Sequence, residues 1–342
     1  MSELLAAVRC AQALRPVAAS ALSPFVVVGA TAQPALVGWV HAESAFVSAL
    51  TRASPLFELQ QDGGTGLATT LVCSFPGSIA TKEERSAAVA PALKALRQDG
   101  LVPGWRDELY PCSPLGSVAD LHTLALVLLP APEGALFDLE RAAATRLGIA
   151  QFGVHANVFS RAPDGTPSVW VARRSPTKQT WPDHYDQCVA GGLAAGEDVA
   201  LCAERECAEE ASIDVHRDAV VPLRAVSFVS HARLDDSRAT THGLPGVWLE
   251  YNYIYDVEVD ASYVPAAADG EVASFERVAV DELRHRLAVV AGDCDAQGTE
   301  FPLFTPAALL ANVDFLCRHG CISPTSEGAG AYAELQSLLR FR

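Results

Sequence analysis

Between Ala203 and Ser212 the chain reads AERECAEEAS, which sets Glu204, Glu206, Glu209 and Glu210 close together with only Arg205 to offset them. On a helix Glu206 and Glu210 are i,i+4 neighbours, and like charges in that relation cost about 0.2–0.5 kcal/mol. Glu206, Glu209 and Glu210 also fall within about 100° of helical arc, so three carboxylates converge on one point. A fold built on this segment needs a compensating charge there. Hard oxygen donors of this kind suit Mg²⁺ or Mn²⁺, and such a cation would supply that charge.

The remaining composition narrows the class. With 342 residues the chain is long enough for two domains, each with a sizeable core. Half of it is apolar, yet no run of about 18 apolar residues offers a membrane-spanning helix, so a soluble globular protein without a membrane partner is expected. A net charge of -16 argues against a nucleic acid partner, whose phosphates are bound largely through Lys and Arg. A small anion complexed with metal remains suitable, and the chain is compatible with a homodimer. The nine cysteines are an odd number without paired zinc spacing and read as reduced thiols. MSELLAAVRCAQALRP carries Arg9 and Arg15 as a transit peptide would, but Glu3 and the lack of a Ser/Arg-rich continuation favour an ordinary amphipathic helix and a cytoplasmic protein.

From about Pro24 to Pro130, apolar runs (PFVVVGA, ALVGWV, TTLVCSF, TLALVLLP) alternate with turn residues, and ERSAAVAPALKALRQDG reads as a helix ending at Gly100. A further helix is expected over DLERAAATRLG, capped by Asp138 and stopped by Gly148. Strand pattern resumes at FGVHANVFS, which places a domain boundary near residue 150. Then follow SVWVARRS, the loop PTKQTWPDHYDQ, the glutamate helix, LRAVSFVS, VWLEYNYIYDVEV and DGEVASFERVAV. A last helix starts at Thr305-Pro306 and runs to about His319.

Read outward, the opening stretch becomes GGLAAGEDVALCAERECAEEASI, Gly191 to Ile213. Gly191, Glu197, Arg205-Glu206, Cys207, Glu209-Glu210 and Ile213 match eight of the nine specified positions of the Nudix box, and the chain is identified as a member of that family by resemblance. The resemblance implies that Glu206, Glu209, Glu210 and the Gly191 carbonyl hold Mg²⁺ or Mn²⁺. It makes Glu197 and Arg205 an ion pair that fixes the ligand side chains, and adds Glu271, in DGEV, as a later-loop carboxylate. Of these, Glu206, Glu210, Arg205, Glu197 and Glu271 form the catalytic set. The departure is Ser212, where the family has glycine in a left-handed helix cap; serine there costs about 1 kcal/mol.

Outside the box, FGVHANVFS, VWVARRSPTKQTWPDHYDQCVAGGLAAGE, YIYDVEV, DGEVASF and FTPAALLANVDFLCRHG resemble the Nudix part attached to fungal thiamine pyrophosphokinase, a subfamily that carries an N-terminal companion domain. The implied architecture is α/β throughout: a companion domain over 1–150 and a Nudix domain, a mixed sheet between helices, over 151–342. The implied activity is hydrolysis of thiamine diphosphate, and preferentially of its oxidised or damaged analogues, to monophosphate. The alternatives are another Nudix substrate, such as ADP-ribose or a different nucleoside diphosphate derivative, and a domain that only binds. Retention of every box glutamate speaks against the last. Substrate-contact candidates are Arg174 and Lys178 for phosphate, Trp181 for stacking, and Tyr185 and Asp186 for polar edge contacts. In PDHYD, Asp183 follows Pro182 where the subfamily has glycine. His155 and Asn157 share a strand face and read as structural hydrogen-bonding residues, while Cys317, His319 and Cys321 read as helix packing.

Overall fold

The computed structural model describes residues 3–12, 22–61, 69–117, 134–234, 246–268, 270–289 and 303–340. The N-terminal part holds α1 (Glu3–Gln12), β1 (Ser23–Val28), β2 (Ala35–Val40), α2 (Ala45–Ala53), β3 (Phe57–Gln61), β4 (Thr69–Ser74) and α3 (Lys82–Gln98). It continues with β5 (Leu109–Cys112), β6 (Gly116–Ser117), β7 (Phe137–Glu140) and α4 (Ala144–Leu147). Then come β8 (Ala150–Arg161), β9 (Pro167–Arg174), β10 (Tyr185–Gln187), β11 (Val189–Gly192), α5 (Val199–Ala211) and α6 (Val215–Asp218). The chain closes with β12 (Ala225–Leu234), β13 (Val247–Glu258), β14 (Val272–Ala279), α7 (Val280–Val289), α8 (Pro306–Arg318), α9 (Pro324–Glu327) and α10 (Ala329–Arg340).

Among the described residues the first unit is a five-stranded sheet in the order β3-β4-β1-β2-β6 with α2 and α3 packed on it. The second is a seven-stranded mixed sheet, β10-β9-β8-β13-β12 with β11 also on β8 and β14 on β9. β8 and β13 run parallel at its centre. Strand alternation gives that sheet two different faces. Phe152, Val154, Ala156 and Val158 turn toward α5, whose Cys202, Ala203 and Cys207 meet them in an apolar cluster. Phe159 turns the other way, into a core shared with α7, α8 and α10. Helices therefore cover both faces, as expected of an α/β sandwich.

Among the described residues the expected helices and strands form with one exception, and the last three residues of the expected loop PTKQTWPDHYDQ pair with β9 as β10. α3 begins on a capping box between Thr81 and Glu84, and α8 begins at Pro306 with Thr305 as its cap. The segment DLERAAATRLG is not one helix from Asp138. Its first residues pair as β7 with β5, Glu140 caps a 3₁₀ turn over Arg141–Ala143, and only Ala144–Leu147 is α-helical. Burial of Phe137 and Leu139 in the first core outweighs helix propensity there. Gly148 does end the segment, in a left-handed conformation where a Cβ would lie 2.0 Å from the Trp39 carbonyl oxygen. The run TLALVLLP falls outside the described residues. α1 is structural: Leu4, Leu5, Ala7 and Val8 are buried in the core against α7, α8 and α10. No helix among the described residues is long and apolar enough to cross a membrane.

Ser212 ends α5 at φ 55°, the left-handed cap anticipated for this position. Its hydroxyl donates to the Ala266 carbonyl at 2.9 Å, and this offsets part of the backbone cost. Ser212→Gly would relieve about 1 kcal/mol of left-handed strain but lose a hydrogen bond worth about 0.5–1 kcal/mol. Urea denaturation is therefore expected to place Ser212→Gly near wild type and Ser212→Ala, which loses the bond and keeps the strain, about 0.5–1 kcal/mol lower. A stability gain in Ser212→Ala would contradict this account.

Candidate active site

β11 delivers Gly191 and Gly192 to the edge of β8, opposite Val154 and Gly153. A Cβ on Gly191 would overlap the Glu206 carboxyl carbon at 2.0 Å, so a residue without a side chain is required where that carboxylate lies. Asp198 caps α5 by accepting from the Ala200 and Leu201 amides, which fixes the helix start relative to this loop. Glu206 is then nearly buried and Glu210 is buried, while Glu209 is about half exposed.

Arg205 stands among these acids. Its guanidinium bonds Glu197 at 2.9 Å, Glu206 at 2.9 Å and Glu209 at 2.9 Å. Burial pushes the Glu206 carboxyl up despite Arg205. Glu210 is pushed well above the ordinary carboxylate range, first by burial and then by Glu206 and Asp186, although it accepts from the Ala190 amide at 2.8 Å. Burial opposes ionisation of Glu197 too, but the bonds from Arg205 and the Ala194 amide prevail and its pKa is lowered. Among the described residues, no three His, Cys, Asp or Glu side chains stand together as arranged for a metal ion, and Glu209 is bonded by Arg205. The donor set nonetheless fits a hard divalent cation. It offers anionic oxygens and a backbone carbonyl, and two of the carboxylates are held in surroundings that disfavour their charge.

These groups line a cavity of about 600 Å³ that also reaches Arg174, Lys178, Trp181, Asp186 and Glu271. Glu271 pairs with Lys178, and this bond outweighs burial to lower its pKa. Its carboxylate is close enough to Glu206 to raise the latter's pKa. Asp269, the other acid of that turn, lies outside the described residues. Arg174 bonds Asp186 at 2.5 Å and the Thr180 and Trp181 carbonyls at 2.9 and 3.1 Å, so it organises the loop before the box. In that loop Trp181 and Asp183 take left-handed φ of 49° and 61°. Asp183 tolerates this better than most residues and is bonded by Arg173 at 2.8 Å, which accounts for an aspartate where glycine was expected.

Tyr185 is a correction. As Asp186 faces the cavity, alternation turns Tyr185 into the α7–α8 core, where its ring packs on Phe304 and its hydroxyl donates to Glu276 at 2.9 Å. Asn157 does act as a structural residue, donating to Asp256 at 3.0 Å and accepting from Gln187. His155, by contrast, lines the cavity, and no bond to its Nδ1 is found among the described residues. His319 stacks on Phe315 at 4.0 Å and bonds Asp256 at 2.8 Å, which is a packing role.

Sequence reasoning missed two groups of lining residues. Gln151, Trp248, Glu250 and Asn252 come from β8 and β13, and their period-two polarity in central strands was the available signal. Arg106, Glu108, Tyr110 and Arg141 come from the first unit, where nothing local marks them. Arg141 bonds Glu108 at 2.7 Å and lies over the Tyr110 ring. A Cβ on Gly192 would meet the Tyr110 hydroxyl at 2.0 Å, and the Ala195 amide donates to the Leu109 carbonyl at 2.8 Å. The first unit is thus in contact with the box loop.

A glycine loop feeding a glutamate-faced helix beside a mixed sheet defines a carboxylate-based phosphohydrolase site, and comparison with known proteins agrees. The NUDIX domain family matches residues 151–295, and a domain of unknown function (DUF4743) matches residues 3–121. Nudix hydrolase 24, chloroplastic, of Arabidopsis thaliana is 31% identical over 93% of this chain and 72% of its own length. Nudix hydrolase 20, chloroplastic, of the same plant is 31% identical over 93% and 73%. A solved Nudix hydrolase from M. smegmatis is 14% identical, covers 52% of this chain and 94% of its own, and superposes with a TM-score of 0.34. The chain belongs to the Nudix hydrolases, enzymes that cleave phosphorus-containing acid anhydrides and generally use divalent metals such as Mg²⁺ or Mn²⁺.

The raised Glu210 pKa has a definite consequence for stability. A group that keeps its proton to higher pH in the native than in the unfolded state, where its value is near 4.5, makes stability fall as pH rises above that value. In metal-free protein the urea midpoint should therefore decline from about pH 5 to about pH 8. Glu210→Gln retains an acceptor for the Ala190 amide and should decline less steeply. Equal slopes in both proteins would assign the effect elsewhere.

Proposed function

We propose that this chain is a metal-dependent hydrolase of a small organic diphosphate. We further propose that thiamine diphosphate, and preferentially its oxidised or damaged analogues, are its substrates, cleaved to monophosphate and orthophosphate. The observation that carries the proposal is the pairing of the Glu206 and Glu210 carboxylates with the Gly191 loop at one end of a cavity that also holds Lys178, Arg174 and Glu271. Residues 1–150 are read as the companion domain and 151–342 as the catalytic one, with α1 lent to the catalytic core. The cytoplasm is the proposed location; "chloroplastic" belongs to the names of the plant relatives.

Glu206, Glu210 and the Gly191 carbonyl, with Glu209 once Arg205 releases it, would hold the metal. A bound Mg²⁺ or Mn²⁺ would neutralise diphosphate charge and polarise a phosphoryl oxygen. The Glu197–Arg205 pair positions Glu206. Glu271, which pairs with Lys178, would take a proton from the attacking water as that water displaces the monophosphate in line. Lys178, bonded to Glu271, would meet the phosphate that the water attacks. Trp181, at the cavity, offers a ring for a heteroaromatic group. An oxidised, less cationic ring is easier to desolvate than thiazolium, which favours damaged forms. A nucleoside diphosphate derivative such as ADP-ribose is the second reading, supported by the amide groups of Gln151 and Asn252 in the same cavity.

With Mg²⁺, kcat/KM should be higher for oxothiamine or oxythiamine diphosphate than for thiamine diphosphate, each read as orthophosphate released, and lower for ADP-ribose, read as AMP and ribose 5-phosphate formed. Faster cleavage of ADP-ribose than of every thiamine-type diphosphate would establish the second reading. Glu206→Gln should lower kcat about 10³-fold, equivalent to roughly 4 kcal/mol of barrier, in a protein that stays folded. Near wild-type turnover in Glu206→Gln, Glu209→Gln and Glu210→Gln alike would refute the metal assignment.

A further inference from the structure

β8 and β13 lie side by side in parallel register, Gln151 beside Glu250 and Gly153 beside Asn252. Gln151, His155, Trp248 and Asn252 all line the cavity from this one sheet face. Gln151, His155 and Asn252 are 7%, 5% and 1% exposed. Yet Gln151 Nε2, His155 Nδ1, Trp248 Nε1 and both Asn252 amide atoms make no hydrogen bond among the described residues. Folded proteins pair nearly all such groups, because an unmade bond in a buried place carries the whole desolvation penalty. The arrangement is also built rather than loose: Asn252 Oδ1 lies across Gly153, where a Cβ would come within 2.6 Å of it. None of these atoms is needed to hold the glutamate helix or to move a proton at the phosphate end.

We propose that this strip of β8 and β13 is the recognition floor for the organic end of the substrate, and that it takes a planar nitrogen heterocycle whose rim carries both hydrogen-bond donors and acceptors. The proposal deepens the diphosphate-hydrolase reading and rests on it only for the phosphate end. Gln151, Asn252 and Trp248 present N–H donors and Asn252 presents a carbonyl acceptor. Burial disfavours the imidazolium form of His155, so its ring offers one donor and one acceptor. An isoprenoid chain would leave all of these unpaired. A polyol would call for partners distributed around the cavity, whereas these orphaned atoms share one flat face. Amide groups alternating along a sheet match the in-plane edge of a heterocycle. The first unit contributes Tyr110 and Arg141 to the same cavity, and Tyr110 falls within residues 3–121, which gives the domain of unknown function a part in enclosing the ligand.

The test uses the full chain with Asn252→Leu and Gln151→Met, near-isosteric replacements that delete the orphaned atoms. Unphosphorylated thiamine and cytidine, titrated calorimetrically without metal, are the binding probes. At least one should bind wild type, and each variant should bind it at least tenfold more weakly with an unchanged or raised Tm, since no protein hydrogen bond is lost. With Mg²⁺, kcat/KM should fall at least tenfold on a thiamine-type diphosphate and stay within about twofold on isopentenyl diphosphate, which has no ring. A lowered Tm with unaltered probe binding, or equal losses on both diphosphates, would overturn the proposal. Failure of wild type to hydrolyse any diphosphate would refute the hydrolase reading instead, and the calorimetric result would still decide the floor.

Discussion

Glu206 and Glu210 lie one helical turn apart on α5, partly or wholly withdrawn from water, and the surrounding structure is arranged around keeping them there. Isolated, the pair would melt the helix end or ionise poorly. Instead the Ala190 amide holds Glu210, Arg205 bridges Glu197, Glu206 and Glu209, and Gly191 leaves the space that Glu206 fills. Each of these is a requirement on sequence: an amide at the end of β11, an arginine one residue before the first ligand, a glycine where any Cβ would collide. The raised pKa values of both acids express the remaining mismatch, which a divalent cation would remove.

The mismatch is tolerated because the loop and helix are anchored from two sides. Behind α5, Cys202, Cys207 and Ala211 join the apolar cluster that includes Phe152 and Val154 of the sheet and Val26 and Leu36 of the first unit. In front, the Leu109 carbonyl takes the Ala195 amide and Tyr110 abuts Gly192. The first unit is therefore not a passenger. It shares a core with the box helix and supplies Arg106 and Arg141 to the cavity at the end where Glu271 sits.

The legible part of the molecule was the part whose chemistry is local. The box spacing, the left-handed cap at Ser212, the start of α8 at Thr305-Pro306 and the central strands all follow from residues within a few positions of one another. Asp138 was misread because its segment is governed by pairing with β5, some thirty residues earlier, which local helix signals do not register. Tyr185 was misassigned by one step of alternation, since the three-residue β10 is too short for periodicity to fix which face is inward. The floor of Gln151, His155 and Asn252 needed two strands about a hundred residues apart in sequence to be seen in register.

The most direct measurement is anomalous diffraction from crystals of the full chain soaked in Mn²⁺. The account predicts a manganese peak bonded to carboxylate oxygens of Glu206 and Glu210 and to the Gly191 carbonyl, with the Arg205 guanidinium no longer bonded to Glu209. A manganese site elsewhere, with Arg205 still bridging Glu206 and Glu209 at saturating metal, would contradict it.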